Sequence, residues 1–185
     1  MYSPRFVMLV ALLTPLAPLG AAQAAPPRYG RPATPEDIAQ WNIDVLPDGT
    51  GLPKGSGTVA QGKALYDNHC MACHGPDAQG GFKDRLAGGI GTLATDHPVK
   101  TVGSFWPYAT TLYDYIRRAM PYQAPGSLSN DDYYALAAYL LNRNGLLPDD
   151  AKLDATTLPA IRMPNRDGFV PEPEFRHIIR SSRKK

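Results

Sequence analysis

Two cysteines stand two residues apart and are followed at once by a histidine, in the segment Cys70-Met-Ala-Cys73-His74. Thiol and imidazole groups at this spacing can form a redox disulfide, half of a zinc site, or the attachment point of a c-type haem. In the haem case both sulfurs add to the vinyl groups of one porphyrin edge, and the histidine binds the iron from below. Each of these possibilities makes different demands on the rest of the chain.

The disulfide and zinc alternatives need a context that the sequence does not supply. A thioredoxin-like disulfide expects alternating strands and helices, which the hydrophobic pattern does not show. A zinc ion needs two further ligands at suitable spacing. The remaining histidines are scattered, namely His69, His97 and His177. We therefore predict one covalent haem c, attached through Cys70 and Cys73, with His74 as an iron ligand.

A methionine on the opposite haem face would complete the coordination of the iron and raise its reduction potential. Met1 and Met8 belong to the leader described below, and Met71 lies inside the attachment turn, too close to reach that face. Met120 lies between two predicted helices, where Pro121 stiffens the loop. We predict Met120 as the ligand, with Met163 as the alternative. An iron bound by both histidine and methionine has no open coordination position for substrate. This favours electron transfer over a reaction catalysed at the iron.

The two haem propionates need polar partners. Candidate partners are Trp106, Tyr108, Arg117 and Arg118, because N–H and O–H groups bind carboxylates well. The alternative is that these aromatic residues belong to the core and the arginines face solvent. The sequence has no nucleophile elbow, phosphate-binding glycine loop or paired metal carboxylates.

Helical patterns dominate the elements that would position these groups. Thr34 and Pro35 predict a short helix that ends near Trp41. Further helices are predicted over 58–68, 110–119 and 133–141, and Ser129 with Asp132 predicts a capping box before the last one. Residues 75–103 read mainly as loop, and we find no convincing strand. The predicted fold class is all-α.

The termini differ in composition from the centre. Arg5, the apolar run 6–13 and Ala22-Gln-Ala24 predict a signal peptide over 1–24 and therefore a periplasmic protein. The alternative, a retained membrane anchor, has too short an apolar run, so no stable membrane insertion is expected. We divide the remainder into an N-terminal extension (25–57), a haem domain (58–147) and a C-terminal extension (148–185).

Charge gives little indication of a partner. The formal net charge is +2 for 185 residues, and removal of the leader leaves about +1, which gives no argument for nucleic acid binding. The chain ends in a basic tail, which reads as a solvated end or, alternatively, a docking patch. Its basic residues are Arg180, Arg183, Lys184 and Lys185.

The order of these features resembles a class I cytochrome c. A helix precedes the Cys70–His74 motif, Met120 follows in a loop, and an apolar helix closes the domain. The likeness covers about 58–147 and is specific at the attachment motif. It implies a class I cytochrome c fold, here with long irregular N- and C-terminal extensions.

A narrower likeness extends from about Trp41 to Phe169. It is carried by Gly103-Ser-Phe-Trp-Pro-Tyr-Ala-Thr-Thr111, Asp114-Tyr-Ile-Arg-Arg-Ala-Met-Pro121, Tyr134-Ala-Leu-Ala-Ala-Tyr-Leu-Leu141 and Met163-Pro-Asn-Arg-Asp-Gly-Phe169. These segments resemble the cytochrome subunits of bacterial sulfite and sulfane-sulfur dehydrogenases. The resemblance implies a molybdenum-cofactor subunit as electron donor and Met120 as the distal ligand. Some members carry two haems, whereas this chain has one attachment motif.

These observations lead to three functional hypotheses. The first is a periplasmic monohaem subunit or partner of a sulfite-type molybdenum dehydrogenase, which is no enzyme on its own and passes single electrons to a downstream cytochrome or oxidase. The second is a free carrier, or the partner of an unrelated periplasmic dehydrogenase. The third is a haem enzyme, such as a peroxidase or a thiosulfate-oxidising cytochrome, which requires an open iron.

Overall fold

The structure is a computed structural model that describes residues 29–170. The predicted signal peptide, the first residues of the predicted N-terminal extension and the basic tail lie outside the described residues. Between residues 29 and 170, no helix is both long and apolar enough to cross a membrane.

The described chain is mostly helical, as the sequence predicts. In order, its elements are α1 (Pro35–Trp41), β1 (Ser56–Thr58), α2 (Val59–His69), α3 (Met71–His74), a 3-10 turn (Pro76–Ala78), α4 (Val102–Phe105), α5 (Ala109–Ala119), α6 (Asn130–Arg143) and β2 (Lys152–Asp154). The four predicted helices are confirmed as α1, α2, α5 and α6, with ends that differ by a few residues. The loop between the 3-10 turn and α4 is long and rich in glycine.

The helix starts owe their positions to short polar side chains. Ser129 Oγ accepts a hydrogen bond from the Asp132 amide at 3.2 Å, and Asp132 Oδ2 accepts one from the Ser129 amide at 3.0 Å. This reciprocal pair satisfies two amide groups that would otherwise lack partners at the start of α6. Thr34 and Thr58 begin α1 and α2 in the same way.

A Ser129→Ala variant should therefore lose about 1 kcal/mol of stability, since the cap of the longest helix is removed. Guanidinium unfolding of the haem-loaded protein measures this as a lower midpoint with an unchanged slope. Ser127→Ala is the matched control, because Ser127 is exposed and lies just before the helix without capping it. Equal midpoints for the two variants would contradict the assignment of the cap.

The prediction that the chain has no strand is wrong. β1 and β2 pair antiparallel, with Ser56 opposite Asp154 and Thr58 opposite Lys152. Each strand is three residues long, too short for the alternation of side chains that marks a strand in sequence. The pair joins the end of the predicted N-terminal extension to the predicted C-terminal extension.

Strand β1 and helix α2 both approach α6 at very close range. A Cβ atom added at Gly62 would lie 1.9 Å from the Ala135 carbonyl oxygen, and one added at Gly57 would lie 2.3 Å from the Ala135 amide nitrogen. Only glycine lets two backbones approach this closely. The crossing fixes the direction of α2, whose C-terminal end leads into Cys70.

Helix α6 forms the centre of the core. None of its residues from Tyr133 to Leu141 is more than 4% exposed. Tyr139 packs on Tyr66 of α2, with the ring centroids 5.1 Å apart. Leu136 and Leu140 project from α6 toward the predicted haem-binding residues, so the core helix also forms a wall of the site.

Candidate functional site

The attachment motif is a continuation of α2. The Cys70 amide donates to the Tyr66 carbonyl at 2.9 Å, and the His74 amide donates to the Cys70 carbonyl at 2.9 Å. This helical path turns Cys70, Cys73 and His74 toward one cavity. Two residues between the thiols are just enough for one turn, so both sulfurs reach the same side.

Cys70 and Cys73 are not joined by a disulfide. Burial, and secondarily the neighbouring Cys73, raise the pKa of the Cys70 thiol to about 11. A redox-active dithiol needs a thiol whose pKa is lowered, so that the thiolate forms at neutral pH. The surroundings of Cys70 raise its pKa instead, which disfavours the interpretation of the two cysteines as a redox-active disulfide.

The His74 ring is oriented by a backbone carbonyl. Its Nδ1 lies 2.8 Å from the Asp84 carbonyl oxygen, which can only accept, so Nδ1 carries the proton. This tautomer leaves the lone pair of Nε2 available for a metal ion. The buried Tyr66 hydroxyl donates to the Gly75 carbonyl at 2.7 Å and holds the turn that follows His74.

The cavity has a volume of about 760 Å3 and mostly apolar walls. Its lining includes Cys70, Cys73, His74, Phe82, Leu86, Lys100, Val102, Trp106, Leu112, Tyr115, Ile116, Met120, Pro121, Leu136 and Leu140. Both α5 and α6 contribute apolar side chains. The volume and the apolar walls are those of a site for a cofactor or another small molecule.

One methionine reaches this cavity from outside the attachment turn. Met120 follows the last residue of α5, and its amide donates to the Ile116 carbonyl at 2.9 Å. Met163 is 1% exposed in the core of the described residues and does not line the cavity. Met71 is 40% exposed and also lies outside the lining. The structure therefore brings together Cys70, Cys73, His74 and Met120.

A zinc site finds no support in the geometry. Across residues 29–170, no three histidine, cysteine, aspartate or glutamate side chains cluster closely enough to hold a metal ion. His69 lines the mouth of the cavity beside the attachment turn, whereas His97 lies on an exposed loop.

Comparison with known proteins agrees with this geometry. The family model for cytochrome c matches residues 59–144. One chain of the crystal structure of the sulfane dehydrogenase SoxCD from Paracoccus pantotrophus is 45% identical, and the match covers 85% of this chain and 78% of that chain with a TM-score of 0.75. The chain belongs to the class I c-type cytochromes of the sulfur-oxidation type.

This cytochrome also matches a curated protein, the thiosulfate dehydrogenase of Stutzerimonas stutzeri (strain A1501). The two are 31% identical over 113 residues, which cover 55% of this chain and 32% of that protein. The cytochrome thus spans about a third of the length of this relative.

The cytochrome carries haem c, and Cys70 and Cys73 fit its covalent attachment. The donor set matches the group, because two thiols and an imidazole with a free Nε2 face one apolar cavity. Apolar walls suit the porphyrin faces, and basic side chains at the rim suit its carboxylates.

The candidate propionate partners are not all placed together. Trp106 lines the cavity and packs edge-to-face on Tyr115, with ring centroids 5.5 Å apart. Tyr108, Arg117 and Arg118 do not line it. The Tyr108 ring lies under the Arg166 guanidinium, 4.2 Å away, and Arg118 is bound to two aspartates on the other side of α5.

The sequence analysis missed three basic residues that do line the cavity. These are Lys83, Arg85 and Lys100. All three are exposed and lie in the glycine-rich loop region between α3 and α4. That region has no periodicity from which a facing direction could be deduced. Arg117 and Arg118 are candidates because guanidinium groups bind carboxylates well, a property that does not indicate which side of the helix faces the haem.

Proposed function

We propose that this cytochrome is a periplasmic carrier of single electrons and is no enzyme on its own. It accepts electrons from a molybdenum-cofactor dehydrogenase of the sulfite type and passes them to a downstream cytochrome or oxidase. The observation that carries the proposal is the pair His74 and Met120 at one apolar cavity that also holds both attachment cysteines.

In this proposal His74 Nε2 and the Met120 sulfur would hold the iron. The haem supplies reversible one-electron chemistry between ferric and ferrous iron. Asp84 holds the His74 tautomer through its carbonyl, and Cys70 and Cys73 keep the porphyrin edge fixed. An iron held by both side chains would have no open position for substrate.

The walls of the cavity favour the same role. Leu112 and Ile116 from α5, with Leu136 from α6, exclude water from the haem faces. Trp106 is a candidate to donate to a propionate from the rim. Apolar walls around the haem would leave few polar groups to reorient between the two iron states, so each electron transfer would require little rearrangement.

The donor is inferred from the comparisons. The related crystal structure is that of a sulfane dehydrogenase, and its likeness spans most of this chain. A dehydrogenase that oxidises sulfite to sulfate releases two electrons and two protons with uptake of one water. One haem accepts a single electron, so two molecules of this cytochrome are reduced for each sulfite. Export is supported by the leader-like residues 1–24.

The test uses the full chain, matured with haem in a bacterial periplasm. Reduction of the haem is followed by absorbance after addition of sulfite and a purified sulfite-type molybdenum dehydrogenase encoded in the same genome. We expect reduction only when enzyme and substrate are both present, with a haem-to-sulfite ratio near two. Affinity purification from native cells should also recover the dehydrogenase with the cytochrome.

The matched control is a Cys70→Ala/Cys73→Ala double variant, which cannot attach the haem covalently. It should give no haem signal on a denaturing gel and no electron acceptance. Failure of the dehydrogenase to reduce the wild-type protein, together with its absence from the purified material, would refute the donor.

Direct oxidation of thiosulfate is the second candidate, because one curated relative is a thiosulfate dehydrogenase. This activity would need an iron position open to the substrate. Thiosulfate added without any enzyme should therefore leave the ferric haem unchanged under our proposal, and rapid reduction would favour the alternative.

A further inference from the structure

Helix α5 has two opposite faces with different partners. Leu112, Tyr115 and Ile116 line the haem cavity. Asp114 and Arg118, one turn apart, form a second stripe on the helix with Thr110. This second stripe contacts the chain that precedes β1. The helix then ends directly at Met120.

Asp114 is the centre of this contact. Its Oδ1 accepts a hydrogen bond from the Val45 amide at 3.2 Å, and its Oδ2 accepts one from Arg118 Nε at 2.8 Å. The Arg118 guanidinium also donates through Nη2 to the Asp44 carboxylate. One arginine therefore bridges two carboxylates, one on α5 and one on the N-terminal segment.

The N-terminal segment is itself tightly folded at this point. The Leu46 amide donates to the Thr50 carbonyl at 2.8 Å, and a Cβ atom added at Gly51 would lie 1.9 Å from the Asp44 carbonyl oxygen. The buried Thr110 hydroxyl donates to the Pro47 carbonyl at 3.4 Å. We call residues 44–51 the strap, since this compact turn lies along the outer face of α5.

We propose that the strap positions Met120 against the iron, with Asp44, Asp114 and Arg118 as positioning residues. The inference rests on the proposed role of Met120 as iron ligand. Because the Met120 amide is bonded to the last turn of α5, a displacement of that turn moves the sulfur. The strap packs on the outer face of α5, and the cavity lies on the opposite face of the same helix.

The three charged side chains should not contribute equally. The exposed fractions of their side chains are 22% for Asp114, 36% for Arg118 and 70% for Asp44. Solvent screens the outer pair, Asp44 with Arg118, more strongly than the inner pair. Asp114 also accepts the Val45 amide, so its removal leaves a partly buried amide without a partner.

Displacement of methionine by imidazole measures how firmly Met120 holds the ferric iron. Imidazole is titrated into the ferric, haem-loaded protein, and loss of the red-edge band of methionine-bound ferric haem gives the dissociation constant. We expect Asp114→Ala to lower this constant on the order of tenfold, from the loss of hydrogen bonds to a charged group. Asp44→Ala should lower it by roughly threefold, and its exposed position keeps the fold intact.

Two controls separate positioning from general stability. Asp67→Ala removes the ion pair between Lys63 and Asp67 on α2, whose partners are four residues apart, as Asp114 and Arg118 are. It should leave the dissociation constant for imidazole within about twofold of the wild-type value. Leu153→Ala removes a buried side chain from β2 and should lower the unfolding midpoint while imidazole binding stays the same.

Each outcome bears on one claim. If Asp114→Ala and Asp44→Ala bind imidazole as the wild type does, the strap has no influence on Met120 and the inference is overturned. If Leu153→Ala shifts imidazole binding as much as Asp114→Ala, the effect is general loosening and the inference also fails. Absence of the methionine band in the wild type would instead refute the proposed ligand itself.

Discussion

A Met120→Ala variant is expected to retain its haem and to lose the red-edge absorption band of methionine-bound ferric iron completely. Its reduction potential should fall by on the order of 100 mV, since each tenfold loss of preference for ferrous iron is 59 mV for one electron. The variant should also bind imidazole without competition. Spectra of the ferric protein and a redox titration measure these changes.

The physical reason is the chemistry of the sulfur. A thioether is a soft, uncharged ligand that stabilises ferrous iron relative to ferric iron. Met120 reaches the cavity that also holds His74, and its side chain is partly buried against the core. The thioethers of Cys70 and Cys73 keep the haem in place after the sulfur is removed, so the loss is confined to the sixth position.

Met163→Leu is the matched control for this prediction. Met163 is buried and does not line the cavity, and leucine conserves its volume, so both the band and the potential should be retained. A band that persists in Met120→Ala and disappears in Met163→Leu would assign the ligand to Met163. Persistence in both variants would show that neither methionine is bound.

Much of the candidate site could be predicted because its chemistry is local. The Cys70–His74 motif places three functional groups within one helical turn, and no long-range contact is needed to bring them together. Met120 could be predicted since few methionines remain and only one precedes a proline between helices. The capping box of Ser129 and Asp132 could be predicted for the same reason, because both residues lie within one helical turn.

Features that depend on distant segments could not be predicted. Arg118 is a candidate propionate partner by the chemistry of its guanidinium, but its side chain binds Asp44 on the opposite side of α5 from the cavity. The helical period fixes the face of α5 on which Arg118 lies. Its partner Asp44 belongs to the predicted N-terminal extension, which has no periodicity from which this contact could be predicted. The β1–β2 pair escaped prediction because strands of three residues leave no repeating pattern.

The crossing of α2 and α6 gives a second large expected effect. At Gly62, an added Cβ atom would lie 1.9 Å from the Ala135 carbonyl oxygen and 2.8 Å from Tyr139 Cβ. Both of these atoms belong to buried residues of α6, so neither can move aside without displacing the core helix. The two helices would have to separate, and α2 would carry Cys70 with it.

Gly62→Ala should therefore cost about 2–3 kcal/mol of stability, although alanine itself favours a helix by about 1 kcal/mol over glycine. Gly62→Val should cost about 4 kcal/mol or more, enough to prevent accumulation of most of the haem-loaded protein. Guanidinium unfolding and the yield of haem-loaded protein are the measurements. Ala64→Val, at an exposed position of the same helix, is the control and should cost about 0.6 kcal/mol or less. If Gly62→Val is tolerated as well as Ala64→Val, the helices are not in close contact, and the placement of the attachment motif by this crossing would be wrong.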